Sequence, residues 1–263
     1  MKKWTFLAGA LAVTLSLAAV GSAEESSRMG DFASRLKKHA PEQTETAVEP
    51  AAQESDGVSF GPELRISDTF FEKVRSSAYL QEKSYSKDAN VMIELKNISG
   101  KTLYPKSATV RACGADGTVI EKETYSSYGP EMVEDGASLF VWDWFYGFEG
   151  NLSDISYFEV DIETETSSYR TYANIPAQAM VSDGVAYALV ENATEDDLYG
   201  LGATIVMENA EGVLLDVCNI ETGNAVGIFP GSVMILRDNA KDYAQDAPLA
   251  EATATAYAQY EAE

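Results

Sequence analysis

The chain of 263 residues is 45% hydrophobic and 10% aromatic, which suffices for one or two globular domains and excludes a wholly disordered or collagen-like polymer. Its formal net charge of −23 repels phosphate groups, so we predict no nucleic-acid partner. Two cysteines and a single histidine, His39 in a polar stretch, argue against a Cys/His zinc site or a histidine-based catalytic triad.

The N-terminus has the pattern of a secretory signal peptide. Two lysines precede an apolar run over residues 4–20, and small residues at 21–23 end at a polar step. The apolar run sits at the lower edge of the roughly 17–25 residues that span a membrane, and no basic flank follows it. We predict a signal peptide over residues 1–23 and a secreted, extracellular chain without a membrane span after cleavage. Whether it diffuses away or stays at the cell envelope is left open.

Residues 24–57 form a polar segment rich in Glu, Gln, Ala, Thr, Ser and Pro. Such a segment buries too little apolar surface to offset the ordering entropy of its backbone, so we predict a disordered linker. Within it Met29, Phe32 and Leu36 stand at helical spacing beside several basic residues. This indicates either a frayed helical turn or a short cationic contact with an anionic cell surface.

After the linker the hydrophobic pattern takes a period of two. Val91, Ile93 and Leu95 alternate with polar or flexible residues, which predicts a strand with one buried face. Turn residues then recur roughly every eight to twelve positions, without an amphipathic helix of useful length. The pattern is typical of an all-β chain built from antiparallel sandwiches.

An internal repeat with an offset of 95 residues organises this β-rich part. Each copy has the size of an ordinary sandwich domain, so we predict one domain over residues 58–167 and a second over residues 168–263. The aligned identities are Asn97 with Asn192, Leu103-Tyr104 with Leu198-Tyr199, Ala108-Thr109 with Ala203-Thr204, Ala115 with Ala210, and Gly117 with Gly212.

The repeated identities themselves predict local structure. Gly117 and Gly212 each separate two apolar runs, as expected of hairpin turns that need a positive φ. Asn97 and Asn192 are each followed two positions later by a hydroxyl residue. We expect their amides to close a loop by bonding nearby backbone, although the same pattern serves as a glycan acceptor in a host that glycosylates it.

Two further expectations follow from the alignment of the copies. Residues 252–259 are rich in alanine and could form a helix, but they align with an alternating segment, so we predict a final strand. Cys113 and Cys218 fall at non-equivalent positions of different copies. A disulfide would need Cα atoms within about 7 Å, which favours unpaired thiols.

The order of strand, Asn-x-Ser/Thr, Leu-Tyr, strand, Gly turn and strand resembles the FxLYD family of secreted bacterial domains and its immunoglobulin-like relatives. It is carried by residues 97–141 and again by residues 192–236. The resemblance implies two tandem Ig-like antiparallel β-sandwiches in an envelope or extracellular protein. It implies no shared catalytic activity and transfers no catalytic residue.

The candidate ligand-binding residues form an aromatic run near the end of the first copy. If the run is a strand, Phe140, Trp142, Trp144 and Tyr146 share one face while Val141 and Phe145 share the other. The second copy has polar residues at several of these positions, so its fold does not need the rings. They are either anchors for a partner or the cover of a gap in the first domain, of which an interdomain contact is one form. The candidates are Phe140, Trp142, Trp144, Tyr146 and Phe148.

A second candidate is an acidic loop that could hold a hard cation such as calcium. Its spacing matches no calcium loop with a fixed ligand pattern, which favours a solvated loop over a metal site, and we predict no cofactor. Neither copy contains a glycine-rich phosphate cradle or a Gly-x-Ser-x-Gly elbow. The acidic residues are Glu191, Glu195, Asp196 and Asp197.

These observations lead to a prediction that the chain is not an enzyme. We expect a secreted binding or adhesion module of a bacterial cell envelope that recognises a cell-surface protein or glycan. The alternatives are a structural spacer or self-assembling envelope subunit, and a hydrolase of uncharged glycans.

Overall fold

A computed structural model describes residues 63–260, except for 83–86, 124, 168–170, 183–184, 211, 224–225 and 240–248. The predicted signal peptide and linker lie outside the described residues. Within these ranges the chain is all-β, as predicted, and its helical content is one 3-10 turn at Leu152–Asp154. No helix among the described residues has the length and apolar character needed to cross a bilayer.

The strands fall into a first half, β1 to β8, and a second half, β9 to β16. The first half comprises β1 Glu63–Ile66, β2 Phe71–Glu82, β3 Lys87–Asn97, β4 Tyr104–Cys113, β5 Val119–Glu123, β6 Ser127–Gly129, β7 Ser138–Phe145 and β8 Tyr157–Glu165. The second half comprises β9 Thr171–Ile175, β10 Ala177–Ser182, β11 Val185–Glu191, β12 Leu198–Asn209, β13 Leu214–Glu221, β14 Gly227–Ile228, β15 Val233–Asn239 and β16 Leu249–Tyr260.

Each half is built from two sheets. In the first half, sheet I has the order β2-β3-β7-β6 and sheet II the order β1-β8-β4-β5. In the second half, sheet III has the order β10-β11-β15 and sheet IV the order β13-β12-β16-β9, with β14 also paired to β12. The strand orders of the two halves therefore correspond: adding eight to each strand number of sheets I and II gives most of the strand order of sheets III and IV. One difference is the edge strand, since β1 runs parallel to β8 whereas β9 runs antiparallel to β16.

Each half also has its own hydrophobic core, to which both of its sheets contribute. In the first half the inward residues of β3, Val91, Ile93 and Leu95, join residues of β8 such as Phe158 and Val160. In the second half a separate cluster joins alternate residues of β11, β12 and β16. The period of two in the sequence thus reports strands with one face in a core.

Paired residues in the two halves are related by the 95-residue offset. Val91 pairs with Asp143 between β3 and β7, and Ala186 pairs with Asp238 between β11 and β15. Likewise Val110 pairs with Glu123, and Ile205 pairs with Cys218. These ladders keep the same register in both halves.

The two asparagines make the same hydrogen bonds in both halves. The Asn97 amide donates to the carbonyls of Lys101 and Val133, and its oxygen accepts from the backbone N–H and hydroxyl of Ser99. Asn192 repeats all four bonds with residues 95 positions later, at Asp196, Ile228 and Thr194. The prediction that these amides bond nearby backbone is confirmed, and both side chains are fully buried. Gly117 and Gly212 have the expected positive φ, at 84° and 75°.

The alanine-rich C-terminal segment is a strand, β16, so the prediction for residues 252–259 is confirmed. Its register differs from the simple offset by one residue. Val110 pairs with Val160 in the first half, whereas Ile205 pairs with Ala254 rather than with residue 255. A slip of one residue would turn every side chain to the opposite face, and the observed register keeps Ala254 and Ala256 against the second core.

Cys113 and Cys218 are both buried, and neither forms a disulfide within the described residues, in agreement with the expectation that they are not bridged. Cys113 ends β4 in the first half, while Cys218 belongs to the core of the second half. The thiols therefore lie in different halves and cannot meet without disrupting a core.

Candidate functional site

The two faces of β7 have different environments, as the sequence predicts. Leu139, Val141 and Phe145 belong to the first core. Phe140 and Trp142 point the other way, to the outer face of sheet I, and are only 7% and 6% exposed. These rings are therefore covered by something other than the first core.

The cover is the second half of the chain. Phe140, Trp142 and Met92 from sheet I pack against Val206, Leu214 and Val217 from sheet IV, and we call these six residues the inter-half cluster. Tyr79 and Trp144 are partly buried and pack against its border. Two of the predicted binding residues thus lie in a contact between the halves, which is the second of the alternatives that the sequence left open.

Polar contacts surround the inter-half cluster and join the same two sheets. The Arg75 guanidinium donates to Glu94 at 2.6 Å in its own half and to both carboxylate oxygens of Glu208 in the other half, at 2.8 and 2.6 Å. The hydrogen bonds with Glu208, and then those with Glu94, raise the pKa of Arg75 above its usual range although burial opposes the shift. The buried Ser77 hydroxyl donates to the carbonyl of Leu214 at 2.7 Å. The bidentate bond between Arg75 and Glu208 fixes the relative orientation of the two side chains as well as their distance.

The β6 side of the contact is also closely packed. A Cβ atom placed on Gly129 would lie 2.5 Å from the Thr204 hydroxyl, so a larger residue here would require the Thr204 side chain or the halves themselves to shift. Burial, with the carboxylates of Glu131 and Glu221, raises the pKa of the Tyr128 phenol above its ordinary value. The two halves therefore meet across both edges of sheet I.

On the other side of the cluster lies a row of three residues, one from each of three neighbouring strands. Asn90 in β3 pairs with Tyr79 in β2 and with Trp144 in β7. We call this the aromatic–amide row. Asn90 is 1% exposed, and within the part of the chain that the structure describes neither its amide nitrogen nor its oxygen has a hydrogen-bond partner. A buried amide without partners is unusual in proteins, since it loses its bonds to water and gains none in return.

The last two aromatic candidates follow β7 and lie apart from each other. Tyr146 is 73% exposed, while Phe148 is buried in the first core. The reversal coincides with Gly147, which has a φ of 66° and donates its N–H to the buried Asp88 carboxylate at 3.0 Å. Phe148 is thus a core residue. Of the five aromatic candidates, Trp144 and Tyr146 are the two that are not fully buried, and the neighbouring Tyr79 is also partly exposed.

The acidic loop is organised by Asn192 rather than by its own carboxylates. Glu191 ends β11 and is buried, whereas Glu195, Asp196 and Asp197 are exposed. Asp196 contributes its backbone carbonyl to the Asn192 amide at 2.7 Å. Among the residues that the structure describes, no group of three or more His, Cys, Asp or Glu side chains is placed to hold a metal ion.

The sequence did not single out Tyr79 or Asn90. Both lie on strands whose alternation was predictable, but their proximity to Trp144 depends on the register of two strand pairs, β2 with β3 and β3 with β7. A signal was available: the position that aligns with Asn90 in the other copy is Val185, so an amide replaces an apolar residue on equivalent strands.

Comparisons with known proteins name no family. No protein-family model matches the chain, and no curated protein matches it. Among solved structures, it is similar to the transglutaminase of red sea bream, with 11% sequence identity and a TM-score of 0.17. The match covers 72% of this chain and 32% of the transglutaminase, so the chain spans about a third of that enzyme's length. Because this match is to an enzyme, the prediction that the chain is not an enzyme is withdrawn. At so low a TM-score the likeness assigns no activity to the chain in its place.

Proposed function

We propose that the two halves are tandem Ig-like β-sandwich domains, similar to those of the FxLYD family, and that they arose by duplication. The proposal is supported by the shared strand order and by the ladders that recur with an offset of 95 residues. It is supported further by the four hydrogen bonds that Asn97 and Asn192 make at equivalent places. Equivalent buried bonds in two copies are expected when one module is copied, since each bond is costly to lose.

We further propose that the protein is a secreted binding or adhesion module of a bacterial cell envelope. It recognises a cell-surface protein or glycan through the end of β7, where Trp144 and Tyr146 remain accessible beside the inter-half cluster. The observation that carries this proposal is the 73% exposed Tyr146 next to the partly covered Trp144 and Tyr79, on a face that the second half lacks. Large rings bury much area at low entropic cost and are common anchors in recognition.

The contact between the halves gives this surface a fixed frame. The inter-half cluster and the bidentate pair of Arg75 with Glu208 hold sheet I against sheet IV. A surface on a rigid frame loses less entropy on binding than a surface on a mobile loop. The strongly negative net charge disfavours anionic partners and is compatible with neutral or cationic ones.

Retention on purified cell-wall material tests the proposal. The protein exported with its own N-terminal segment is passed over the resin beside a Trp144→Ala, Tyr146→Ala double variant. We expect the parent to be retained and the double variant to elute early. The control is Tyr125→Ala, which removes a ring that is 88% exposed but lies outside the aromatic strand, and it should be retained like the parent. Equal retention of the parent and the double variant would contradict the proposal.

A second candidate function is a rigid spacer or self-assembling envelope subunit. It is favoured by the inter-half cluster, which uses Phe140 and Trp142 to join the halves rather than to bind a partner. A spacer predicts no retention of the parent on the resin. It also predicts that Trp142→Ala loosens the two halves, which small-angle X-ray scattering would detect as an increased radius of gyration.

A further inference from the structure

The aromatic–amide row contains a buried polar group that makes no hydrogen bond within the described part of the fold. The Asn90 amide is buried, and its nitrogen and oxygen lack partners among the described residues. An apolar side chain would fill the same place without losing bonds to water. The second half does this, because Val185 occupies the aligned position and pairs with β15 as Asn90 pairs with β7. Because the buried amide loses its hydrogen bonds to water without gaining others, we infer that it forms hydrogen bonds to a ligand.

The neighbours of the amide indicate the chemistry of that ligand. Tyr79 and Trp144 flank Asn90 on adjacent strands, roughly 5 Å away on either side. The rings offer apolar faces, and the amide offers two donors and an acceptor between them. A sugar ring has the matching features, since its C–H face packs on an aromatic ring and adjacent hydroxyls both donate and accept hydrogen bonds.

The surrounding charge selects among sugars. The buried Asp88 lies two residues before Asn90 on the same strand, and the chain carries a formal charge of −23. Carboxylates accept hydrogen bonds from hydroxyl groups but repel sulfated, phosphorylated or uronic acid sugars. The environment therefore favours an uncharged sugar.

We propose that the aromatic–amide row is a subsite for one ring of a neutral glycan, and that the Asn90 amide forms hydrogen bonds with the hydroxyl groups of that ring. The proposal rests on the function proposed above and specifies its ligand. Because the amide is buried, the sugar reaches it only when a neighbouring ring moves aside. Trp144 is partly exposed and borders the row, so its indole fluorescence reports binding.

The test uses a titration of the full secreted chain with neutral hexose and N-acetylhexosamine oligosaccharides, followed by tryptophan fluorescence. We expect saturable binding by the parent and at least a tenfold weaker affinity in Asn90→Val, which copies the residue of the second half. We also expect Asn90→Val to unfold at the same or a higher urea concentration than the parent. Tyr125→Ala is the matched control and should bind like the parent.

Three outcomes separate the failures. Equal affinity of the parent and Asn90→Val overturns the role of Asn90. Absence of oligosaccharide binding, with retention on the cell wall that still depends on Trp144 and Tyr146, overturns the glycan subsite but leaves the proposed function standing. Absence of both overturns both proposals.

A second measurement avoids the risk that Asn90→Val misfolds. In the unmutated chain the side-chain NH₂ signals of Asn90 should shift during the oligosaccharide titration in NMR spectra. Signals that stay in place while the ligand binds would show that the amide holds an internal water only, and would overturn the inference.

Discussion

Replacing Asn97 or Asn192 with alanine should destabilise the half that contains it by similar amounts. Each side chain is fully buried and makes four hydrogen bonds of 2.7 to 3.0 Å, three to its own loop and one to the backbone of a segment 36 residues later. At about 1 kcal/mol for each bond, the expected loss is about 3–4 kcal/mol per variant. This is a large part of the roughly 5–15 kcal/mol that stabilises a typical domain.

Urea unfolding followed by two probes can separate the halves. Trp142 and Trp144 both lie in the first half, so indole fluorescence follows that half and its contact with the second, while far-UV circular dichroism follows both. Asn97→Ala should lower the fluorescence midpoint by roughly 1–4 M, given slopes of about 1–3 kcal/mol/M. Asn192→Ala should lower the urea midpoint for unfolding of the second half. That change should be visible in the part of the dichroism transition that the fluorescence does not report.

The matched control is Asn174→Ala, which removes an exposed asparagine of β9. Surface changes of this kind usually alter stability by less than about 0.5 kcal/mol. If Asn97→Ala or Asn192→Ala costs no more than the control, the hydrogen bonds are not the reason that both copies carry asparagine, and the reasoning fails.

Three further predictions follow from single contacts. Gly202→Ala should lower the free energy of unfolding by about 1–3 kcal/mol, and with it the urea midpoint, because the added Cβ overlaps the Tyr257 ring; a partial recovery in Gly202→Ala, Tyr257→Leu would verify the clash, and its absence would argue against it. Arg75→Gln should weaken the contact between the halves and enlarge the scattering radius, whereas Arg75→Lys keeps the charge and should recover part of the contact; an unchanged radius in Arg75→Gln would refute this. The hydrogen bond from Ser67 lowers the pKa of the Asp161 carboxyl, so its stabilisation is present above the ordinary carboxyl pKa and is lost as the pH falls through the folded value. Asp161→Asn should therefore unfold at a lower temperature than the parent at pH 6 but not at pH 2, and a difference that persists at pH 2 would contradict the prediction.

Much of the fold was predictable because the relevant information is local. Alternating residues such as Val91, Ile93 and Leu95 predicted strands, and Gly117 predicted a turn with positive φ. The internal repeat added information that no local pattern holds, since the alanine-rich residues 252–259 have a helical composition but form a strand. Repetition was decisive there because the partner strand, rather than the segment itself, supplies the hydrogen bonds.

The candidate site was only partly predictable. The alternation along β7 correctly placed Phe140, Trp142 and Trp144 on one face. Alternation cannot say whether that face meets water or another part of the chain. Tyr146 and Phe148 illustrate the same limit, because two residues of the same parity separate at the turn where Gly147 ends the strand geometry.

By itself, then, the amino-acid sequence determined the all-β class, the turns and the faces of the strands, because each of these depends on residues near one another along the chain. It also determined the 95-residue repeat, because the two copies can be compared directly without knowledge of the fold. Only the tertiary structure decided that sheet I rests on sheet IV, and that Tyr79, Asn90 and Trp144 stand in one row. Those features depend on the register between strands and on the docking of two surfaces, which are set by the combined packing of many distant side chains.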